Sequence, residues 1–192
     1  MTKESNMRGT LWLAAVPVAM LFWPGVALAA STITGTVNFD GKPPVLRPIA
    51  MDAEPVCAKK HAGHPVQPEM LVLGTGQTMG NVMVFVSKGV PAGKTYPAPT
   101  TPVTVDQEGC MYIPHVMGIM VGQLYRILNT DGILHNIHTL PKINPAFNRG
   151  QPATVKEMAT NFPKAESMFQ IKCDVHPWMS DYMGVFTHPF YS

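Results

Sequence analysis

From residue 32 onward, apolar residues fall in short runs cut by glycine and proline, and no stretch keeps a helical period for long. Thr32–Phe39 carries β-branched residues and stops at Asp40-Gly41, a turn signal, so it is expected to be a strand. Asn81–Val86 is mostly apolar and reads as a central strand buried on both sides. Val103–Val105, Met111–Ile113, Ile119–Val121 and Tyr125–Leu128 follow at short spacing, with Gly109, Gly118 and Gly122 between or beside them. Ile133–Leu140, Ser167–Lys172 and Tyr182–Thr187 complete the set. Many short strands so spaced predict an all-β fold, a Greek-key β-sandwich or barrel. Seventeen prolines beyond residue 29 would break long helices.

The first 29 residues have a different pattern. Lys3 and Arg8 make a basic start, Leu11 to Trp23 an apolar core, and Ala27-Leu28-Ala29 a small-residue cleavage site. This is the layout of a signal peptide, so residues 1–29 are expected to leave during export to a periplasm, with no membrane span retained. The remaining 163 residues suit one domain, 30–192, with an irregular insertion around 43–102. Their net charge is +1, which carries no nucleic-acid footprint.

Three cysteines follow the cleavage site, Cys57, Cys110 and Cys173. In an oxidising compartment two should pair, and the simplest division is a Cys57–Cys110 disulfide with Cys173 left over. Cys173 opens the run Cys173-Asp174-Val175-His176-Pro177-Trp178-Met179, which sets a thiol, an imidazole and a thioether on one short loop. Strand alternation puts Phe169, Ile171 and Cys173 on one face and Gln170 and Lys172 on the other, so the thiol points inward. A second histidine is available in Leu134-His135-Asn136-Ile137-His138, where His135 and His138 have opposite parity and only one can face the same point. Two histidines, a cysteine and a weak methionine are the donor set of a mononuclear blue-copper site.

With these residues in view, the chain resembles the cupredoxins, the small blue copper proteins. Cys-x-x-His-Pro-x-Met is similar to the short ligand loop of the amicyanin type, and His135-Asn136, with the 38-residue gap from His135 to Cys173, is similar to the rest of that group's pattern. The close resemblance covers roughly residues 120–192. It implies His135, Cys173, His176 and Met179 as copper ligands, His138 as a non-ligand, Asn136 as a brace for the Cys173 loop, and His176 as the electron port nearest the surface. Upstream, Gly35-Thr36-Val37, the Cys57/His61 region and Gly109 to Val116 look like a larger group of exported cupredoxin-like proteins with plastocyanin-like or methylamine-utilisation labels. The implied function is electron transfer, with a periplasmic dehydrogenase, oxidase or c-type cytochrome as partner.

Several features compete with this reading. A copper carrier would use the same donors, and the 11 methionines beyond residue 29 could hold Cu(I), although they are scattered. A copper enzyme would need an open coordination position, which Met179 would fill. Cys57, His61, His64, Cys110 and His115 could form a second metal site, but the spacings are loose for zinc and a disulfide with nearby histidines is the simpler account. Gly74 to Gly80 lacks the dinucleotide-loop spacing and a following helix. No Gly-x-Ser-x-Gly elbow and no placed carboxylate pair suggests a catalytic residue. Trp178 either rims the exposed edge of His176 or packs under the loop. His188-Pro189 reads as a chain-end turn.

Overall fold

The hydrophobic runs become strands where a neighbouring strand is available to pair with them. The structure, a computed structural model, describes residues 32–192; the expected signal peptide lies outside the described residues. In chain order the elements are helix α1 (Pro55–Lys60) and strands β1 (Val72–Leu73), β2 (Met79–Gly80), β3 (Val103–Glu108), β4 (Met111–Ile113), β5 (Val116–Met120), β6 (Tyr125–Asn129), β7 (His135–Thr139), β8 (Asn148–Gln151), β9 (Glu157–Thr160), β10 (Glu166–Lys172) and β11 (Ser180–Phe186). One sheet runs β5-β11-β10-β7-β8, the other β4-β3-β6-β9, and β1-β2 form a separate pair. The pairs β3–β6 and β5–β11 are parallel, and the other ladders are antiparallel. Residues from Thr36 to Ser192 form one compact unit.

The core lies between the two larger sheets, making this a β-sandwich. Val105, Tyr125 and Ile127 from one sheet meet Ile119, Ile137, Phe169, Ile171, Met183 and Val185 from the other. Alternation is clear along β7 and β10: His135, Ile137 and Thr139 are buried on one side, as are Phe169, Ile171 and Cys173. Polar bonds also join the sheets. The buried Tyr112 hydroxyl donates to the Asn136 carbonyl. Gln107 on β3 donates to the Gln151 side chain on β8 at 2.6 Å, and Asn129 donates to the Gln151 carbonyl at 2.9 Å. Buried amides of this kind hold β8, and through it β7, in one position.

Three sequence expectations change. Asn81–Val86 is not a buried central strand: among the described residues its only bridge is Phe85 to Tyr191, and Val84 and Phe85 are exposed. Its partner is the short chain end Phe190–Ser192, so only one edge is paired. Thr32–Phe39 makes a single bridge, Asn38 to Thr78, and is otherwise exposed coil. Strand β5 begins at Val116, ahead of the expected Ile119, because its register is set by β11 from Tyr182 onward. Strands β8 and β9, Asn-Arg-Gly-Gln and Glu-Met-Ala-Thr, have weak strand propensity and are strands only because β7 and β6 offer them edges.

The turn between β3 and β4 ties the sandwich to an outlying segment. Gly109 and Cys110 both have positive φ, +61° and +56°, and form a two-residue hairpin loop closed by the pair Glu108–Met111. Cys110 is joined to Cys57 in α1, as expected. Helix α1 is thereby fixed to the sandwich, and Glu54 caps it by accepting from the Val56 N–H at 3.3 Å. The disulfide closes a loop of 53 residues, for which the chain-entropy account gives about 4 kcal/mol of stabilisation. Cys57→Ala with Cys110→Ala should lower the unfolding free energy by roughly 2–5 kcal/mol in urea denaturation. It should also increase hydrogen exchange in residues 43–68 more than in β10.

Candidate metal centre

The end of the sandwich where β7 and β10 finish gathers three donors. Cys173 follows β10 with its side chain turned into the core. The loop after it is closed by two backbone bonds: the Cys173 N–H donates to the Met179 carbonyl at 3.1 Å, and the Met179 N–H donates to the His176 carbonyl at 2.9 Å. This tight turn carries His176 back over Cys173, so that the thiol sulfur lies 3.7 Å from His176 Nδ1. His135, at the start of β7, brings its own Nδ1 to 2.9 Å from His176 Nδ1. His135, Cys173 and His176 are each at most 2% exposed, and Met179 is fully buried on the same loop.

His135 is positioned by Asp131. The sequence reading missed this residue; its only signal was an acid four positions before a candidate ligand. The Asp131 side chain is fully buried. Its Oδ2 is 2.9 Å from His135 Nε2 and 2.7 Å from the Cys110 N–H, while Oδ1 accepts from the Gly109 N–H at 2.7 Å and from Lys60 Nζ at 2.6 Å. Burial works to raise the Asp131 pKa, but the bonds from His135, Lys60 and Cys110 outweigh it and hold it at about 2. Burial disfavours the charged form of His135, whereas Asp131 and Cys173 favour it and raise its pKa overall. With Nε2–H given to Asp131, a neutral His135 directs the lone pair of Nδ1 at the cluster.

The thiol is prepared for ionisation. Burial pushes the Cys173 pKa up, yet His135 and the backbone N–H groups of Asn136, His176 and Val175 together bring it below the ordinary thiol value. Asn136 braces the loop, its Oδ1 accepting from the Asp174 N–H at 2.7 Å and lying 3.2 Å from Cys173 Sγ. His138 is on the opposite face of β7. There it meets the Asp174 carboxylate at 2.9 Å, together with Asn148 and Lys172. The structure therefore brings His135 to the cluster and leaves His138 outside it.

His176 is not the surface residue that the resemblance implied. It is 1% exposed, and Glu54, the cap of α1, sits over it with Oε2 3.7 Å from Nε2. That nitrogen has no hydrogen-bond partner. Burial and the nearby His135 charge lower the His176 pKa, so its neutral form is favoured. The covering residues belong to the irregular segment that the sequence singled out, and Cys57–Cys110, Lys60–Asp131 and His61–Gly109 hold it in place. Of the two roles weighed for Trp178, the structure shows the packing one: its ring lies against the His176 ring at 5.2 Å and its Nε1–H donates to the Cys110 carbonyl at 3.0 Å, while His176 has no exposed edge to rim.

These donors fit one soft or borderline ion. Metal–nitrogen bonds of about 2.0 Å and metal–thiolate bonds of about 2.3 Å can meet at one point from donors 2.9 and 3.7 Å apart. Two imidazole lone pairs facing each other at that distance need a cation or a proton between them. A second grouping, Cys110 with Asp131 and His135, is no metal site, because the Cys110 sulfur is in the disulfide. The wider site considered from Cys57, His61, His64, Cys110 and His115 is dispersed: His61 bonds the Gly109 carbonyl, His64 is exposed and His115 faces another cleft. His188 is a chain-end residue, accepting from the Phe190 N–H.

The Asp131 network makes a measurable claim on stability. Its depressed pKa, about 2 against an ordinary 3.8, contributes about 2 kcal/mol. That contribution is fully present above pH 3.8 and is lost as pH falls toward 2. Asp131→Asn should therefore destabilise the metal-free protein by about 2 kcal/mol near neutral pH. The gap between the two proteins should close toward about pH 2 in urea titrations at each pH.

No protein-family model matches the chain, and no curated protein matches it in sequence. Among solved structures it is similar to a mutant amicyanin with Cu(I), at 18% identity and a TM-score of 0.40, over 44% of this chain and 82% of that one. It is similar to the Cu-containing nitrite reductase (NirK) from Thermus scotoductus SA-01, at 23% identity and a TM-score of 0.42, over 54% of this chain and 26% of that one. A novel purple cupredoxin from Nitrosopumilus maritimus is similar at 20% identity and a TM-score of 0.36, over 43% of this chain and 98% of that one. These structural neighbours are cupredoxin-fold proteins.

Proposed function

We propose that this chain is a mononuclear copper protein of the blue type that passes one electron at a time between redox partners. His135, Cys173 and His176 would hold the ion, with Met179 as a weak fourth donor. The observation that carries this reading is the convergence of two imidazole Nδ1 atoms and one thiol in a buried pocket, 2.9 and 3.7 Å apart. Thiolate and thioether donors favour copper over hard cations, and imidazole suits both of its oxidation states. Bound there, the ion would supply a one-electron couple.

The chain's own residues would supply the rest. Asp131 fixes the tautomer and angle of His135, and Asn136 ties the two halves of the donor set together. Backbone N–H groups hold the thiolate, and burial keeps water from the sulfur. An electron carrier, as opposed to an enzyme, is favoured because Met179 is fully buried and Glu54, the cap of α1, stands over His176. The same closure disfavours a copper carrier, which must exchange its cargo. Pro177 and Val175 are exposed on the loop beside half-buried Trp178, and this edge would meet a partner such as a dehydrogenase, an oxidase or a c-type cytochrome. Export to a periplasm is part of the proposal and rests on residues 1–29. Among the described residues no helix is long and apolar enough to cross a membrane.

Loading with Cu(II) should give an intense thiolate-to-copper absorption and a narrow copper hyperfine splitting in EPR. A pale, tetragonal spectrum would remove Cys173 from the site. Cys173→Ser should abolish the colour. Met179→Leu should keep it and raise the reduction potential, measured by voltammetry, because a weak sulfur donor is lost. Azide should leave the oxidised spectrum unchanged; a new charge-transfer band would point to an open position and to an enzyme.

A further inference from the structure

A second cleft lies on the other side of Trp178. It has a volume of about 760 Å³, and its walls include Met70, Met83, Met111 and Met168 together with His115 and Glu69. Four methionines thus line one cleft. Methionine ordinarily fills gaps in a core, and Met111 does so while bordering the cleft, but Met83 and Met168 are only half-buried and Met70 is 79% exposed. His115 supplies an independent sign of a ligand. Its side chain is only 8% exposed, and its Nδ1 is sealed from solvent without a hydrogen-bond partner. The nearest carboxylate, Glu69 Oε2, is 3.4 Å away.

We propose that this cleft binds Cu(I) through His115 and the surrounding methionine sulfurs, with Glu69 balancing the charge. Thioethers and imidazole together suit that ion, whereas a single carboxylate is too few oxygen donors for calcium or magnesium. The proposal is independent of His135, Cys173 and His176. Trp178 separates the two places: it forms part of the cleft wall while its ring packs against His176. A grouping of His115 with Cys57 and Cys110 does not form, since those sulfurs are bonded to one another and His115 lines the cleft instead.

The test is an anaerobic titration of the full mature chain with Cu(I), against a chromophoric Cu(I) chelator, read alongside the NMR signals of ¹³C-labelled methionine methyls. Cu(I) should move the methyls of Met83 and Met111, and of Met70 or Met168, in a step separate from any change at Met179. His115→Ala, and separately Met70→Leu with Met83→Leu, should weaken that step about tenfold or more. Neither should alter the visible spectrum of the Cu(II)-loaded protein. The leucine pair replaces exposed and half-buried side chains with ones of similar volume, so it remains informative if His115→Ala fails to fold. Shifts confined to Met179, or Cu(I) binding unchanged in the leucine pair, would overturn the proposal. A cleft that binds Cu(I) in a protein with no blue spectrum would sink the electron-transfer reading and leave this one standing.

Discussion

The Asp131 carboxylate is the point at which separate parts of the chain are held to one another. It sits on the β6–β7 loop, four residues before His135, and accepts from a side chain in α1, two backbone amides in the β3–β4 turn, and the first histidine of the cluster. A buried charge is tolerable only when its lone pairs are used, and here four donors use them. The positive φ of both Gly109 and Cys110 belongs to the same arrangement, because that turn presents consecutive N–H groups to one anion. The disulfide next to it anchors the helix that covers His176. Removing this one carboxylate would loosen the cover, the turn and the histidine together.

The donor loop was legible from alternation and from the residues beside Cys173. Alternation along β10 put Cys173 inward, the cysteine count required one thiol outside a disulfide, and the neighbouring His and Met assigned that thiol to Cys173; the inward thiol and the Cys57–Cys110 disulfide hold in the structure. The choice between His135 and His138 was not decided by sequence parity, which only said that they face opposite ways. It is decided by β7 pairing with β8 and β10, which buries the first and leaves the second beside Asp174. The strands that went unrecognised, β8 and β9, are polar segments whose conformation comes from their neighbours. Asn81–Val86 failed in the opposite sense: its composition is that of a core strand, but it joins neither large sheet and pairs instead with the last three residues of the chain.

Residues 43–68 looked irregular in sequence and are so in structure, yet they have a definite task. Their single helix is six residues long and is held by a disulfide, an ion pair and a histidine–carbonyl bond, not by an apolar stripe. None of these is a periodic feature, so hydrophobic patterning could not reveal them. Glu54 illustrates the point. One carboxylate oxygen caps the helix and the other stands over His176, so a local rule of helix termination also places a charge at the cluster.

That cover bears on how the cluster responds when its charge changes by one. Around an exposed imidazole, water dipoles would have to turn at every such change, and their turning is an energy of reorganisation. Around His135, Cys173 and His176 the nearest dipoles are amide N–H groups fixed in a turn and a loop, and the nearest charges are Asp131 and Glu54 at set positions. Fixed dipoles are oriented once, when the chain folds, and cost little afterwards. If the cluster passes electrons as proposed, closing the site with an extra segment would use folding energy to lower a barrier that would otherwise recur with each transfer.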